Sequence, residues 1–127
     1  MARIRVVYFK DVDGSVPVLE WLAQLGDHTA VLKAHARLAL LEEMGNGLRR
    51  PVADSIGNGL YELRWRSGTV NYRVIYFFYG QQAAVAAHGL TKEARLPAAD
   101  VDRALRRKRA FEASPEMHTY TMEVDDA

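Results

Sequence analysis

The 127 residues carry 17 Lys and Arg against 16 Asp and Glu, for a formal net charge of +1, with 49% hydrophobic residues and no cysteine. That length suits one domain with a real hydrophobic core, and the absence of cysteine excludes a disulfide framework and thiol chemistry. The net charge conceals an asymmetry: residues 1–111 hold every Lys and Arg but only 11 of the acids, leaving +6, whereas residues 112–127 hold Glu112, Glu116, Glu123, Asp125 and Asp126, giving −5. A basic body with an acidic tail points to a polyanion-facing surface, with the tail screening it or reaching for a partner. No apolar run has the length of a signal peptide or membrane helix, so the expected place is the cytoplasm, away from membranes.

Residues 3–9 alternate imperfectly, with Ile4, Val6 and Tyr8 on one side, and read as a strand. The turn Asp11-Val12-Asp13-Gly14-Ser15 leads to Pro17, which suits the first turn of a helix. Leu19, Trp21, Leu22 and Leu25 give that short helix its stripe, and Gly26-Asp27 end it. Residues 28–44 repeat at helical period, with Val31, His35, Leu38 and Leu41 expected toward the core and Ala34, Ala36 and Ala39 admitting a close neighbour. Gly45-Asn46-Gly47 stops the second helix, and so short a break between helices predicts an antiparallel hairpin lying on one sheet face. Residues 48–59, with Pro51, Gly57 and Gly59, read as a loop carrying Arg49 and Arg50.

The stretch LYELRWRSGTVNYRVIYFFY, residues 60–79, reads as two strands about a tight turn. If Gly68-Thr69 is a two-residue turn, Trp65 faces Tyr72, Leu63 faces Val74 and Tyr61 faces Tyr76, which makes one face apolar. Glu62, Arg64, Arg66, Asn71 and Arg73 share the other face, with Arg64 directly opposite Arg73. A four-residue loop would shift that pairing, yet parity keeps the three arginines on one face. Like charges placed opposite one another destabilise a sheet, a penalty that an oligoanionic partner would reverse. Residues 83–91 predict a further strand after Gly80-Gln81-Gln82, and its end brings Lys92 toward Arg73.

Residues 97–113 predict a last helix, apolar along Val101, Ala104, Leu105 and Phe111 and exposed along Arg103, Arg106, Arg107, Lys108 and Arg109. The basic run is either a solvated face or a grip on nucleic-acid backbone. Residues 114–127 contain Pro115 and the acids and receive no assignment. The expected order is β-α-α-β-β-β-α, an α+β domain over residues 1–113 followed by an acidic tail over 114–127. Its mostly antiparallel sheet is packed by the N-terminal helical hairpin on one face and left partly open on the other.

The four histidines have neither the spacing nor the acidic neighbours of a metal site, so no metal or other cofactor is expected. Catalytic triads, phosphate-binding glycine loops and dinucleotide fingerprints are also missing. A ring of Arg and Lys without nearby carboxylates suits phosphodiester chemistry, because charge gathers on phosphate oxygens in the transition state. RNA carries its own nucleophile, the 2′-hydroxyl, so a protein need only align it, accept its proton and neutralise the phosphate. A lysine crowded by cations has a lowered pKa, which makes Lys92 the candidate base.

Leu60-Tyr61-Glu62-Leu63-Arg64, then Tyr72-Arg73-Val74-Ile75-Tyr76-Phe77-Phe78, then His88-Gly89-Leu90-Thr91-Lys92 before a charged helix is similar to the phage-derived HigB-like branch of the RelE/ParE toxin superfamily. The resemblance covers residues 3–111. It implies a RelE-like fold and the toxin of a type II toxin–antitoxin pair, an endoribonuclease cutting mRNA on the ribosome. It also implies a cognate antitoxin, often of helix-turn-helix type, as the restraining partner. Matched residue by residue, it places catalytic weight on Arg64, Arg73 and Lys92; beside them, Arg66 and Arg95 are expected to position the RNA backbone. Glu93 stands where relatives commonly have a second lysine, which lowers the local positive charge. The rival functions are a gyrase-inhibiting toxin of the same superfamily without catalysis, and an inactive nucleic-acid-binding relative.

Overall fold

A computed structural model describes residues 3–91 and 95–122. Six strands form one sheet in the order β2-β3-β4-β5-β1-β6: β1 (Arg5–Phe9), β2 (Ala53–Gly57), β3 (Leu60–Ser67), β4 (Val70–Tyr79), β5 (Ala83–Thr91) and β6 (Thr119–Tyr120). Only β1 and β5 run parallel; every other pair is antiparallel. Four α-helices complete the α+β architecture: α1 (Pro17–Ala23), α2 (His28–Met44), α3 (Ala98–Ala113) and α4 (Pro115–His118).

The central hairpin forms with the two-residue turn expected of Ser67-Gly68-Thr69-Val70, and Gly68 supplies the positive φ of 61° that the turn needs. Trp65 stacks on Tyr72 with ring centroids 5.7 Å apart, and Trp21 of α1 meets both edge-on. On this face α1 lies on β5 and β1 while α2 lies on β3 and β1, so the helix pair divides its contacts across the sheet. The buried stripe of α2 is Ala30, Ala34, Leu38 and Leu41; Val31 and His35 are only half-buried. The stripe is therefore turned by about one residue from the one hydropathy suggests, because small alanines fit closely over a sheet surface crowded with aromatic rings. Gly89 serves the same packing, since a Cβ there would collide with the indole of Trp21.

Helix α3 covers the opposite face with Ala104 and Phe111, packing against Val7, Phe9, Leu60, Ile75, Phe77, Val85, Ala87 and Leu90. It leaves the Arg64 and Arg73 end of that face open.

Two stretches gain structure that sequence patterning did not give them. Residues 53–57, expected in a loop, form β2, and its strand character comes from pairing with β3 despite the neighbouring Pro51 and Gly57. Residues 115–120, left unassigned, form α4 and β6 against β1. There His118 is buried, stacks on Phe9 at 5.0 Å and donates from Nδ1 to the Lys10 carbonyl at 2.7 Å.

Several main-chain donors along β1 and β2 are answered from within the chain. On β2 the Ala53 N–H donates to the Arg49 carbonyl (3.1 Å) and the Ser55 N–H to Asp54 Oδ1 (3.0 Å). On β1 the Ile4 N–H donates to the Glu42 carbonyl (3.0 Å), the Val6 N–H to Glu42 Oε2 (3.2 Å), and Tyr8 and Phe9 pair with β6. Beyond the end of β2, the Arg64 and Arg66 carbonyls of β3 accept from Arg37 Nε (3.0 Å) and Lys33 Nζ (2.9 Å) of α2.

Candidate nucleic-acid interface

Register places Arg64 directly across from Arg73 on the face that α3 leaves open. Two adjacent strands thus present guanidiniums side by side, an arrangement costly to a sheet unless something lies between them. Glu62, two residues before Arg64 and so on the same face, fills that place. Its side chain is 2% exposed; Oε2 accepts from Arg64 at 2.7 Å and Oε1 from Arg73 Nη1 at 2.9 Å. Arg64 also reaches Asp54 Oδ2 at 3.2 Å, an oxygen that accepts Arg50 Nε at 3.0 Å as well.

Carboxylates therefore do stand beside the arginines, contrary to the expectation of a cationic ring without them. The opposed like charges are held by an acid of the same chain, and relieving them does not require an external anion. A buried carboxylate bonded to two guanidiniums also fixes both forks in orientation, which is how a site binding planar oxyanions is preorganised.

Arg37, Arg64, Arg66 and Arg73, with Asn71, line a shallow cleft of about 220 Å³ at this end of the sheet. Four guanidiniums against Glu62 and Asp54 leave it cationic. Arg73 is the less exposed of the opposed pair, with 16% of its side chain accessible against 36% for Arg64. Arg66 is exposed, and its Nε donates to the Gly68 carbonyl at 3.1 Å. Arg95 is exposed in the segment between β5 and α3 and is not among the residues lining the cleft. Lys92 lies outside the described residues, directly after Thr91, which pairs with Tyr72 at the end of β5. The structure thus brings Arg64, Arg73 and Arg66 together and adds Arg37 and Glu62, which sequence reasoning did not assign to the site. The signal for Arg37 was its place one helical turn after Lys33. For Glu62 it was the shared parity with Arg64.

A larger cavity of about 610 Å³ opens beside β2, among Asn46, Leu48, Arg49, Arg50, Asp54, Ser55 and Tyr61. The two differ in how their cations are held: in the larger one Arg49 donates to the Asn46 and Leu48 carbonyls and Arg50 pairs with Asp54, whereas the smaller cleft joins two guanidiniums through one buried carboxylate.

His88 occupies a separate polar cluster between β5 and α3. Arg107 Nη1 lies 3.1 Å from Nδ1 and Asp100 Oδ1 2.6 Å from Nε2. Arginine can only donate, so Nδ1 accepts and Nε2 carries the proton given to Asp100. Burial pushes the imidazole below its ordinary pKa, with Arg107 and Arg103 adding to the effect and the Asp100 carboxylate opposing it. At neutral pH the His88–Asp100 contact is accordingly a hydrogen bond from a neutral ring.

The family model described as Phage derived protein Gp49-like (DUF891) matches residues 20–109, which take in α2, the arginine-bearing hairpin, β5 and most of α3. The chain belongs to this Gp49-like family. The family is known for RelE-like toxins, and such toxins in general imply an antitoxin partner. No curated protein matches the chain. In this Gp49-like protein no group of three or more His, Asp or Glu capable of holding a metal ion occurs among the described residues. None of the described helices is long and apolar enough to cross a membrane.

Proposed function

We propose that this Gp49-like protein is the toxin of a type II toxin–antitoxin pair, of the HigB-like kind, acting as a ribosome-dependent endoribonuclease on mRNA. The observation that carries this reading is the pair of guanidiniums of Arg64 and Arg73, locked side by side by buried Glu62 at the mouth of a cationic cleft. Arg73 gives Glu62 only Nη1 among the described residues, so its other N–H groups remain for a phosphate. Fixed cations of this kind stabilise a pentacovalent phosphorane, which carries more charge on its oxygens than the ground-state diester.

In the proposed reaction the RNA 2′-hydroxyl attacks the adjacent phosphorus, its proton passes to the neutral amine of Lys92, and the P–O bond to the 5′-oxygen of the next nucleotide breaks, that oxygen taking a proton from water. The products are a 2′,3′-cyclic phosphate and a 5′-hydroxyl end. Arg64 and Arg73 hold the non-bridging oxygens, while Arg66, Arg95 and Arg37 bind flanking backbone. A helix-turn-helix antitoxin is the proposed restraining partner.

Arg73→Ala tests the assignment. Glu62 keeps Arg64 as its partner in this variant, so the fold survives, while growth inhibition on expression is expected to vanish together with the mapped RNA ends. A folded variant of unchanged toxicity would remove Arg73 from the reaction. Uncut transcripts with DNA damage in cells expressing the wild-type chain would favour gyrase inhibition instead.

A further inference from the structure

Helix α3 carries a second cationic cleft that the proposed cleavage does not use. Arg103, Arg106 and Arg107, spaced to share one helix face, meet Phe9 and Asp11 around a hollow of about 300 Å³. Arg107 is anchored on the protein side: Nη1 donates to the Ala87 carbonyl at 2.8 Å, and its guanidinium lies 5.9 Å from the Phe9 ring centre. Sequence patterning put Arg107 on the exposed face of the helix, but its contacts with Ala87, His88 and Phe9 half-bury it.

Among the described residues none of the three arginines makes a salt bridge. Among the described residues Asp11 is the one carboxylate lining the hollow. Burial and the charges of Arg103 and Arg106 hold the Arg107 guanidinium below its ordinary pKa, against the pull of Asp11. Three cations crowded about one acid contrast with the Arg64–Arg73 pair, where Glu62 does the neutralising.

We propose that Arg103, Arg106 and Arg107 form an anion subsite for an RNA backbone phosphate remote from the scissile one. The proposal rests on the RNA-cleaving reading and extends it by giving the strand a path. Phe9 and Arg73 lie on the same face of the sheet. Arg73 faces Leu90 of β5; Ala87 is three residues back along β5, and the next strand over is β1 with Phe9. At about 3.3 Å per residue and 4.8 Å per strand, the two Cα positions are about 14 Å apart. Helix α3 lies over β5 between the two clefts, and a cationic cleft on the helix together with another on the strands beside it suits a partner with regularly repeated charges better than a single small anion.

The test uses the full chain and a short fluorescent RNA with methylated 2′-hydroxyls, which binds without being cut, titrated at several salt concentrations. The Arg103→Ala/Arg106→Ala double variant is expected to bind about tenfold more weakly and to show a log–log salt slope shallower by roughly one. The corresponding double Arg→Lys variant should restore most of the slope, because backbone contact requires charge more than a guanidinium fork. Arg103 and Arg106 are exposed, so the thermal midpoint should not move. Equal affinity and equal slope in the alanine variant, with wild type binding normally, would overturn the subsite and leave the Arg64–Arg73 reading in place. Failure of the wild-type chain to bind the RNA at any salt concentration would overturn the subsite, while the cleavage reading stands or falls with the Arg73→Ala experiment.

Discussion

A carboxylate that is 2% exposed belongs in a sheet only if the cost of drying it is returned by its partners, and Glu62 has both Arg64 and Arg73. Losing that charge leaves two guanidiniums opposed on neighbouring strands. For a fully buried pair the cost would be about 3–5 kcal/mol, but Arg64 keeps Asp54 and is 36% exposed, so solvent recovers part of it. Glu62→Gln is expected to cost about 2 kcal/mol in urea unfolding. In an Arg73→Met background the same change should cost at least ~1 kcal/mol less, since the repulsion it unmasks is already gone. Equal costs in the two backgrounds would mean that Glu62 does not act through Arg73. This burial was not legible in the sequence: a glutamate alternating with arginines on a charged strand face reads as solvated, and only three-dimensional packing distinguishes a clamp from a wet surface.

At the scale of elements, the join between β5 and α3 is made by His88, Asp100 and Arg107. Because burial lowers the His88 pKa in the fold, the unfolded chain binds the proton first as pH falls. The contribution of the cluster is therefore whole above about pH 6.5, the ordinary histidine value, and is lost as pH drops from there toward the lowered folded value. His88→Phe should flatten the stability curve across that window, with the difference between wild type and variant shrinking as acid is added; parallel curves would show that His88 does not titrate in this way. The β3–β4 register was readable residue by residue, because a glycine turn and strict alternation leave few other pairings. Strand β2 was not, since five residues holding Asp, Ser and Gly become a strand only through the neighbour they pair with. The face of α2 was misjudged by one position, because hydropathy ranks valine above alanine whereas the aromatic surface beneath selects by size.

For the molecule as a whole, residues 115–120 are part of the packed structure even though composition assigns them to an acidic tail. His118 covers Phe9 and bonds the Lys10 carbonyl, the Lys10 N–H donates to the His118 carbonyl at 2.8 Å, and Tyr120 meets Tyr8 edge-on with ring centroids 6.4 Å apart. With net hydrogen bonds of about 1 kcal/mol each and aromatic pairs of about 0.5–1.5 kcal/mol, removing residues 114–127 should cost about 3 kcal/mol, read as a lowered thermal midpoint. An unchanged midpoint would refute the docking of α4 and β6. A truncation meant to ask whether the acidic residues screen the arginines must accordingly leave these residues in place.

The occupied donors along β1 and β2 set terms for an encounter at those strands. Glu42 takes the Ile4 and Val6 N–H groups of β1, and the Arg49 carbonyl and Asp54 take the Ala53 and Ser55 N–H groups of β2, so these donors are not offered to an incoming polypeptide, whether from an antitoxin or from a second copy. Strand addition at those positions would first have to break these bonds, whereas side chains on the two broad faces can be retuned by surface substitution without rebuilding the sheet.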